Sequence, residues 1–424
     1  GPQGIAVIEN AIDRVARFLK RDAAGIRKIN FYGEKERNVA PYGQIITQNR
    51  LGVVWDEILL KSQYTKRRET VNQFNKENSI KKRGLALTPV KFGISFTTSF
   101  LNQAGALVLI YKDGSVLVNH GGTEMGQGLH TKMRRIAALE LGISELQVRV
   151  NATNTSKVPN TSPTAASSGT DLNGMAVKNA VDKLKARLIP AAQKMLREKF
   201  NIEAAEVLFS NGFVFDKNNA DKKVSFVDLA KRAHLEQISL SATGFYKTPG
   251  IVFNKETGKG TPFHYFAYGM AVSEVEIDLN SGKTDVLQVD MVHDVGDSVH
   301  HDIDRGQIAG AFIQGIGWVI MEKMRYNAKG ELLNHSPDTY KIPNMGDLPP
   351  VFNISLLTGA PNPMVIRKSK AVGEPPFMLA FSTWLAIKDA ISAVGNHKFE
   401  PRFELPANGE TVLKAITEIK EQQK

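Results

Sequence analysis

Gly121-Gly122-Thr123-Glu124-Met125-Gly126-Gln127-Gly128 is the stretch from which the fold is read. Before it, Leu107–Tyr111 and Val116–Asn119 are rich in branched side chains and flank Lys112-Asp113-Gly114-Ser115, the pattern of a β-hairpin. After it, Gln127–Leu141 carries helical spacing. Strand, glycine loop and helix in that order aim backbone N–H groups and a helix N-terminus at whatever the loop meets. The spacing is not that of a dinucleotide loop, which needs G-x-G-x-x-G and an acidic residue about 20 positions on. Held in so stiff a frame, Glu124 is either a structural anchor or a positioned base. Gln127 has an amide that both donates and accepts, which suits the polar edge of a ligand. A second framed carboxylate is Glu374 in Lys370-Ala371-Val372-Gly373-Glu374-Pro375-Pro376. There glycine removes bulk on one side, and proline removes a donor and fixes the chain direction on the other.

The same order recurs along the chain. The loop Asn160-Thr161-Ser162-Pro163-Thr164-Ala165-Ala166-Ser167-Ser168-Gly169 precedes a helix over Asp171–Phe200, expected to be interrupted or to end near Pro190. Glu374 precedes a helix over Phe377–Val394. An anion site is expected at each helix start, after Gly128, Gly169 and Glu374. Residues 5–21 carry an apolar stripe at Ile5, Ile8, Ile12, Val15 and Leu19, and residues 51–80 also read as helical, up to the basic cluster before Gly84. Leu85–Phe100 and Leu146–Thr153 read as strands. Hairpins are expected around Asn211-Gly212 and between Phe266–Ile277 and Thr284–Asp294, and a strand pair around Asn327–Gly330. Asp304–Met321 reads as a glycine-spaced helix, and a charged helix closes the chain. Phe92 and Phe96, four apart in a presumed strand, share a face and read as a core pair or as an aromatic clamp.

Composition narrows the chemistry. The chain has 424 residues, 42% of them hydrophobic, and no cysteine. Thiolate zinc sites, iron–sulfur clusters, disulfides and cysteine nucleophiles are excluded within it. A reducing, cytoplasmic setting is expected. No apolar run reads as a membrane span. The net charge of +11 comes from scattered basic residues without interleaved aromatics, which argues against nucleic-acid binding. The nine histidines lack the spacing of a zinc helix, so no protein metal ligand is named. Neither a G-x-S-x-G elbow nor a P-loop lysine motif is present.

Taken in order, Lys91–Asn102 (KFGISFTTSFLN), Asp113–Lys132 (DGSVLVNHGGTEMGQGLHTK), Pro159–Ser167 (PNTSPTAAS), Ser239–Pro249 (SLSATGFYKTP), Pro262–Asp278 (PFHYFAYGMAVSEVEID) and Lys370–Pro376 (KAVGEPP) resemble the molybdenum-binding region of the xanthine dehydrogenase family. The resemblance covers nearly the whole chain, least in residues 190–235. Gly1-Pro2-Gln3-Gly4 looks like the family segment that follows an Arg-Gly-Phe-Gly stretch.

The resemblance implies an α+β fold of mixed sheets and helices. It implies that residues 1–84 are the tail of a first molybdenum-cofactor-binding domain, 85–400 a second such domain, and 401–424 a C-terminal extension. The implied cofactor is a molybdenum ion held by the dithiolene of a pyranopterin. Glu374 is implied as the general base in hydroxylation of hypoxanthine and xanthine toward urate, with burial raising its pKa. Phe96 would pack on the purine and Thr97 would hydrogen-bond to it. Gln127, Ala165, Ala166 and Ser167 would line the cofactor, with Gln314 on its phosphate side. Thr97 after the clamp phenylalanine, and Pro376, favour a xanthine enzyme over an aldehyde oxidase. Gly169 departs from a serine often found in the pterin loop. A substrate-orienting Glu and Arg, a molybdenum-facing Gln and a second clamp Phe belong to the family's upstream sequence. The implied partners are therefore an upstream molybdenum-domain chain plus iron–sulfur (2Fe-2S) and FAD subunits, in a hetero-oligomer. The alternatives are a hydroxylase of aldehydes or another N-heterocycle, and a non-catalytic assembly subunit.

Overall fold

Alternation along two long strands organises the larger sheet. The computed structural model describes residues 1–158 and 160–424, so Pro159, which opens the Pro159–Ser167 motif, lies outside the described residues. In chain order come α1 (Pro2–Phe18), α2 (Ala23–Ile29), α3 (Leu51–Ser62), α4 (Tyr64–Glu77) and β1 (Lys81–Ile94). Next are β2 (Gln103–Ile110), β3 (Val116–His120), α5 (Leu129–Leu141), β4 (Val148–Val150) and α6 (Gly169–Phe200). They lead to β5 (Val207–Ser210), β6 (Phe213–Asp216), β7 (Lys223–Ser225), α7 (Phe226–Leu235) and β8 (Ser241–Lys247). Then follow β9 (Val252–Asn254), β10 (Lys259–Thr261), β11 (Tyr265–Asp278), β12 (Thr284–His293) and α8 (His301–Ile316). The chain closes with β13 (Val351–Leu356), α9 (Pro375–Leu379), α10 (Phe381–Val394) and α11 (Gly409–Gln422).

One sheet has the order β1-β11-β12-β13. β1 and β11 pair antiparallel along their full length, from Lys81 opposite Asp278 to Ile94 opposite Tyr265. Leu85, Leu87, Tyr268, Met270 and Val272 face Val54, Trp55 and Ile58 of α3. Residues of the opposite parity face α10, which lies so close that a side chain at Gly84 would run into the Ala386 carbonyl. A second sheet, β4-β3-β2-β8, is backed by α5 and α6 through a core that includes Val108, Val118, Ile136 and Val177. The hairpins around Asn211-Gly212 and Asn280–Lys283 form as expected.

Several elements depart from the sequence reading. Lys81-Lys82-Arg83 open β1 rather than closing the helical region, and α3 and α4 are separated at Gln63, which is left-handed (φ 50°). α2 was not legible. α6 runs through Pro190 as one helix of 32 residues, because burial of Leu188, Ala191 and Ala192 outweighs one lost hydrogen bond. The Asn327–Gly330 region holds only the isolated bridge between Tyr326 and Leu332. The apolar stripe of α1 is largely exposed. Its buried face is Glu9, Asp13 and Ala16, where Glu9 meets buried Arg27 at 2.5 Å and Asp13 meets Lys388 at 3.1 Å. Pro375–Val394 is long and apolar enough to cross a membrane, but 83% of its apolar window is buried inside the protein.

Candidate functional site

Glu124 turns inward on its own loop. Its Oε1 accepts from the N–H groups of Gly126 (3.0 Å) and Gly128 (2.9 Å), and its Oε2 accepts from that of His130 (2.8 Å). Gly128 makes this possible by taking a left-handed φ of 76°. Burial pushes the Glu124 carboxyl up, but the three backbone donors outweigh it and the net shift is downward. Glu124 is thus an anchor. Its carboxylate takes the Gly128 and His130 N–H groups at the entry to α5, so a carboxylate of the protein itself sits where the anion site after Gly128 was expected. Gln127 is tied to the same loop, its Oε1 accepting from Met125 N (2.5 Å) and its Nε2 donating to Thr123 O (2.8 Å). One amide hydrogen and one lone pair remain for a ligand.

The Ser/Thr loop is joined to this turn by the Thr123 N–H, which donates to Thr164 Oγ1 at 2.8 Å. Ala166 and Ser167 are both left-handed, at φ 53° and 54°. Each such residue costs on the order of 1–3 kcal/mol, held in place by its surroundings. Gly169 and Thr170 then open α6 onto the cavity, and the N-cap Ser168 makes no side-chain cap.

The Glu374 segment is pinned at successive points. Lys370 N donates to Val295 O (2.7 Å), and the Lys370 ammonium pairs with Asp294, both side chains fully buried. Ala371 N donates to the Tyr265 hydroxyl (2.9 Å), which donates to Asp171 Oδ2 (2.7 Å). Glu374 N donates to Ser167 Oγ (3.1 Å), and that hydroxyl donates to Glu374 Oε2 (2.8 Å). Glu374 is exposed, contrary to the buried base expected. The expected anion site behind it is also missing, because α9 has five residues and begins with two prolines, which lack the N–H.

These loops enclose a cavity of about 330 Å³. Gln127, Ala165, Ala166, Ser167 and Glu374 all line it, joined by Gly373 and the start of α6. Phe96, Thr97 and Gln314 do not. Ser95 (φ 137°) turns the chain beyond β1, so Phe96 leaves the strand and exchanges hydrogen bonds with Asn102 (2.8 Å each). Phe92 and Phe96 therefore do not share a strand face. Gln314 is exposed on α8, whereas Gln307, two turns earlier on the same helix, lines the cavity. The sequence reading missed Gln307, although its seven-residue offset from Gln314 puts both on one face. It also missed the buried Lys132–Asp304 pair in the cavity wall, where Ser298 Oγ donates to Asp304 at 2.5 Å. Nothing local marks partners so far apart in the chain. Among the described residues, no group of three or more His, Asp or Glu side chains is placed to hold a metal ion.

Asp171 is strongly altered by this arrangement. Burial pushes its carboxyl up to about 7, against the pull of Tyr265 and Lys132. The folded chain keeps a proton that the unfolded chain releases near 3.8. Between these values the folded state binds more protons, so this contribution is full at low pH and is lost as pH rises through about 7. Asp171→Asn is expected to remove that loss. Urea midpoints compared between about pH 5 and pH 8 should fall for the parent relative to the variant. A parent that gains on the variant as pH rises would show the opposite linkage.

A family model described as a molybdopterin cofactor-binding domain matches residues 57–349. The chain is 46% identical over 421 residues to "Xanthine dehydrogenase/oxidase" of Gallus gallus, covering 99% of this chain and 29% of that protein. It is 45% identical over 396 residues to "Xanthine dehydrogenase" of Dictyostelium discoideum, covering 93% and 27%. The chain thus spans less than a third of the curated relatives it matches. Among solved structures, the Cu,Mo-CO dehydrogenase aligns with a TM-score of 0.84 at 20% identity, covering 99% of this chain and 52% of that one. Quinoline 2-oxidoreductase from Pseudomonas putida 86 aligns with a TM-score of 0.84 at 22% identity, covering 98% and 52%. At such identities these two report the fold alone.

Proposed function

The chain belongs to the molybdopterin cofactor-binding domain family, and we propose that it is the C-terminal part of the molybdenum-binding region of a xanthine dehydrogenase. In this reading the assembled enzyme is cytoplasmic and hydroxylates hypoxanthine and xanthine toward urate with water as the oxygen source. The observation that carries it is the meeting of Gln127, the Ala165-Ala166-Ser167 turn and Glu374 around one cavity. The likeness to xanthine dehydrogenases along nearly the whole chain supports it.

The residues present fit a pterin-held metal. Ala165, Ala166, Gly169 and Gly373 leave room for a bulky flat group, and the spare Gln127 amide and the start of α6 offer hydrogen-bond donors. A metal that brings its own sulfur ligands needs no thiolate or histidine from the chain, and the chain has no cysteine. Gln127, Ala165, Ala166 and Ser167 would hold the group. When bound, it supplies an acceptor for two electrons and a place where a water-derived oxygen is activated.

The chain's own part is proton handling and orientation. Glu374 takes the proton of the oxygen that attacks the electron-poor purine carbon. Ser167 occupies Oε2, and Oε1 has no donor among the described residues, so Oε1 is the atom that receives the proton. The Glu374 N–H bond to Ser167 and the prolines behind it fix the carboxylate's direction. Phe96 and Thr97 are proposed to reach the purine, and Gln314 the cofactor's phosphate side, once the upstream half of the pocket is in place. An upstream molybdenum-domain chain, with iron–sulfur and FAD subunits, would complete the hetero-oligomer. Residues 1–84 are proposed to continue the first cofactor-binding domain, 85–400 to form the second, and 401–424 to be an extension.

The test is to express the chain with its upstream partner, measure molybdenum by mass spectrometry, and assay urate from xanthine. Metal together with urate is the expected result. Metal without urate would move the substrate to another N-heterocycle or an aldehyde. Absence of both from a well-folded complex would overturn the enzymatic reading.

A further inference from the structure

Behind Glu374 runs a buried polar chain that the chemistry above leaves unused. Ala371 N–H donates to Tyr265 Oη at 2.9 Å, and Tyr265 Oη donates to Asp171 Oδ2 at 2.7 Å. Ala371 lies three residues before Glu374. Asp171 lies four residues after Ser167, whose hydroxyl holds Glu374 from the other side. The links close a ring: Glu374 to Ser167, along the backbone to Asp171, across Tyr265 to Ala371, and along the backbone back to Glu374. We propose that Tyr265 is a positioning residue for Glu374, its hydroxyl fixing the register of the Glu374 segment against the 165–171 turn. This rests on the reading of Glu374 as the base.

Packing alone does not account for a tyrosine here. The ring fills a place in the core beside Ile94 and Ala267, which phenylalanine would fill as well. The hydroxyl is what differs, and burying it is costly unless it is bonded. It is bonded twice, and both bonds go to segments that line the cavity. Among neighbouring groups, Asp171 faces Tyr265 from β11, Lys132 from α5 and Tyr246 from β8, while Asp304 from α8 pairs with Lys132. An ionised Asp171 draws the Tyr265 hydrogen toward itself and leaves the phenolic lone pair to Ala371 N–H. A neutral Asp171 accepts more weakly and loosens that order. The register of the Glu374 segment therefore tightens as Asp171 ionises.

Tyr265→Phe in the cofactor-loaded full enzyme tests this. The expected result is kcat lower by about tenfold or more with KM within about twofold, since a small misplacement of a base slows the chemical step. Molybdenum and pterin per chain stay at the parent level. Amide exchange in a peptide covering residues 369–374 quickens about fivefold or more, while that of residues 266–277 does not change. Asp171→Asn keeps the shape, and its kcat–pH profile is expected to lack the inflection expected of the parent as Asp171 ionises near 7. Parental kcat and parental exchange in Tyr265→Phe would overturn the proposal. So would loss of pterin in proportion to activity, which marks a purely structural role. Glu374→Gln run in parallel separates the two claims. If it stays active, the base assignment fails, and the exchange measurement still judges the ring. If it is inactive while Tyr265→Phe behaves as parent, only the positioning role fails.

Discussion

Glu374→Gln in the assembled enzyme is expected to lower turnover by about 10²–10⁴-fold, the range for loss of a general base. The substitution is close to isosteric. A glutamine carbonyl at the Oε2 position still accepts from Ser167 Oγ, and the backbone N–H still donates to that hydroxyl. The amide that replaces Oε1 is the change that matters, because it cannot take a proton. The rest of the cavity wall is untouched, so molybdenum and pterin content should match the parent. Mass spectrometry of the metal and steady-state turnover on the same preparation separate the two quantities. Turnover within a few-fold of the parent would remove Glu374 from the base role. Loss of metal would make it a holding residue instead.

Lys370→Met should give the largest change in stability, about 3–5 kcal/mol, because it leaves Asp294 charged, buried and unpaired. Methionine preserves much of the lysine stem's volume, so the packing term is small. Asp294 would keep its bond from Gly296 N at 3.1 Å, one donor where it had a cation as well. Burial already lowers the Lys370 pKa against the pull of Asp294, which shows how poorly solvated the pair is. The double variant Lys370→Met with Asp294→Asn should recover much of the loss, since the stranded charge is gone. Denaturant unfolding of the three proteins checks this. A single variant as stable as the parent would mean that water reaches Asp294.

Local signals read well from the sequence. The Asn211-Gly212 turn, the Asn280–Lys283 turn and the glycine loop each announce themselves within a few residues, and each lies between the elements expected. The cavity-lining loops were visible as motifs for the same reason. What stayed hidden depends on partners distant in the chain. Tyr265 reads as one more aromatic in a strand until Asp171 and Ala371 are placed beside it. Lys370 looks like a surface lysine until β12 delivers Asp294. The α1 stripe misled because the helix's buried contacts are ionic, so its most polar face points inward. Phe96 misled because a single positive φ at Ser95 ends the strand's alternation.

The pairing of β1 with β11 sets a timetable for synthesis. β1 leaves the ribosome roughly two hundred residues before the far end of its partner exists. At about 5–20 residues per second it waits some 10–40 s with its ladder groups unmatched. Its three leading cations and the internal Pro89 make it a poor template for stray strands during that interval. The Glu374 side of the pocket arrives nearly a hundred residues later still. A nascent chain thus carries an open half-sheet long before the wall of the cavity around Glu374 exists.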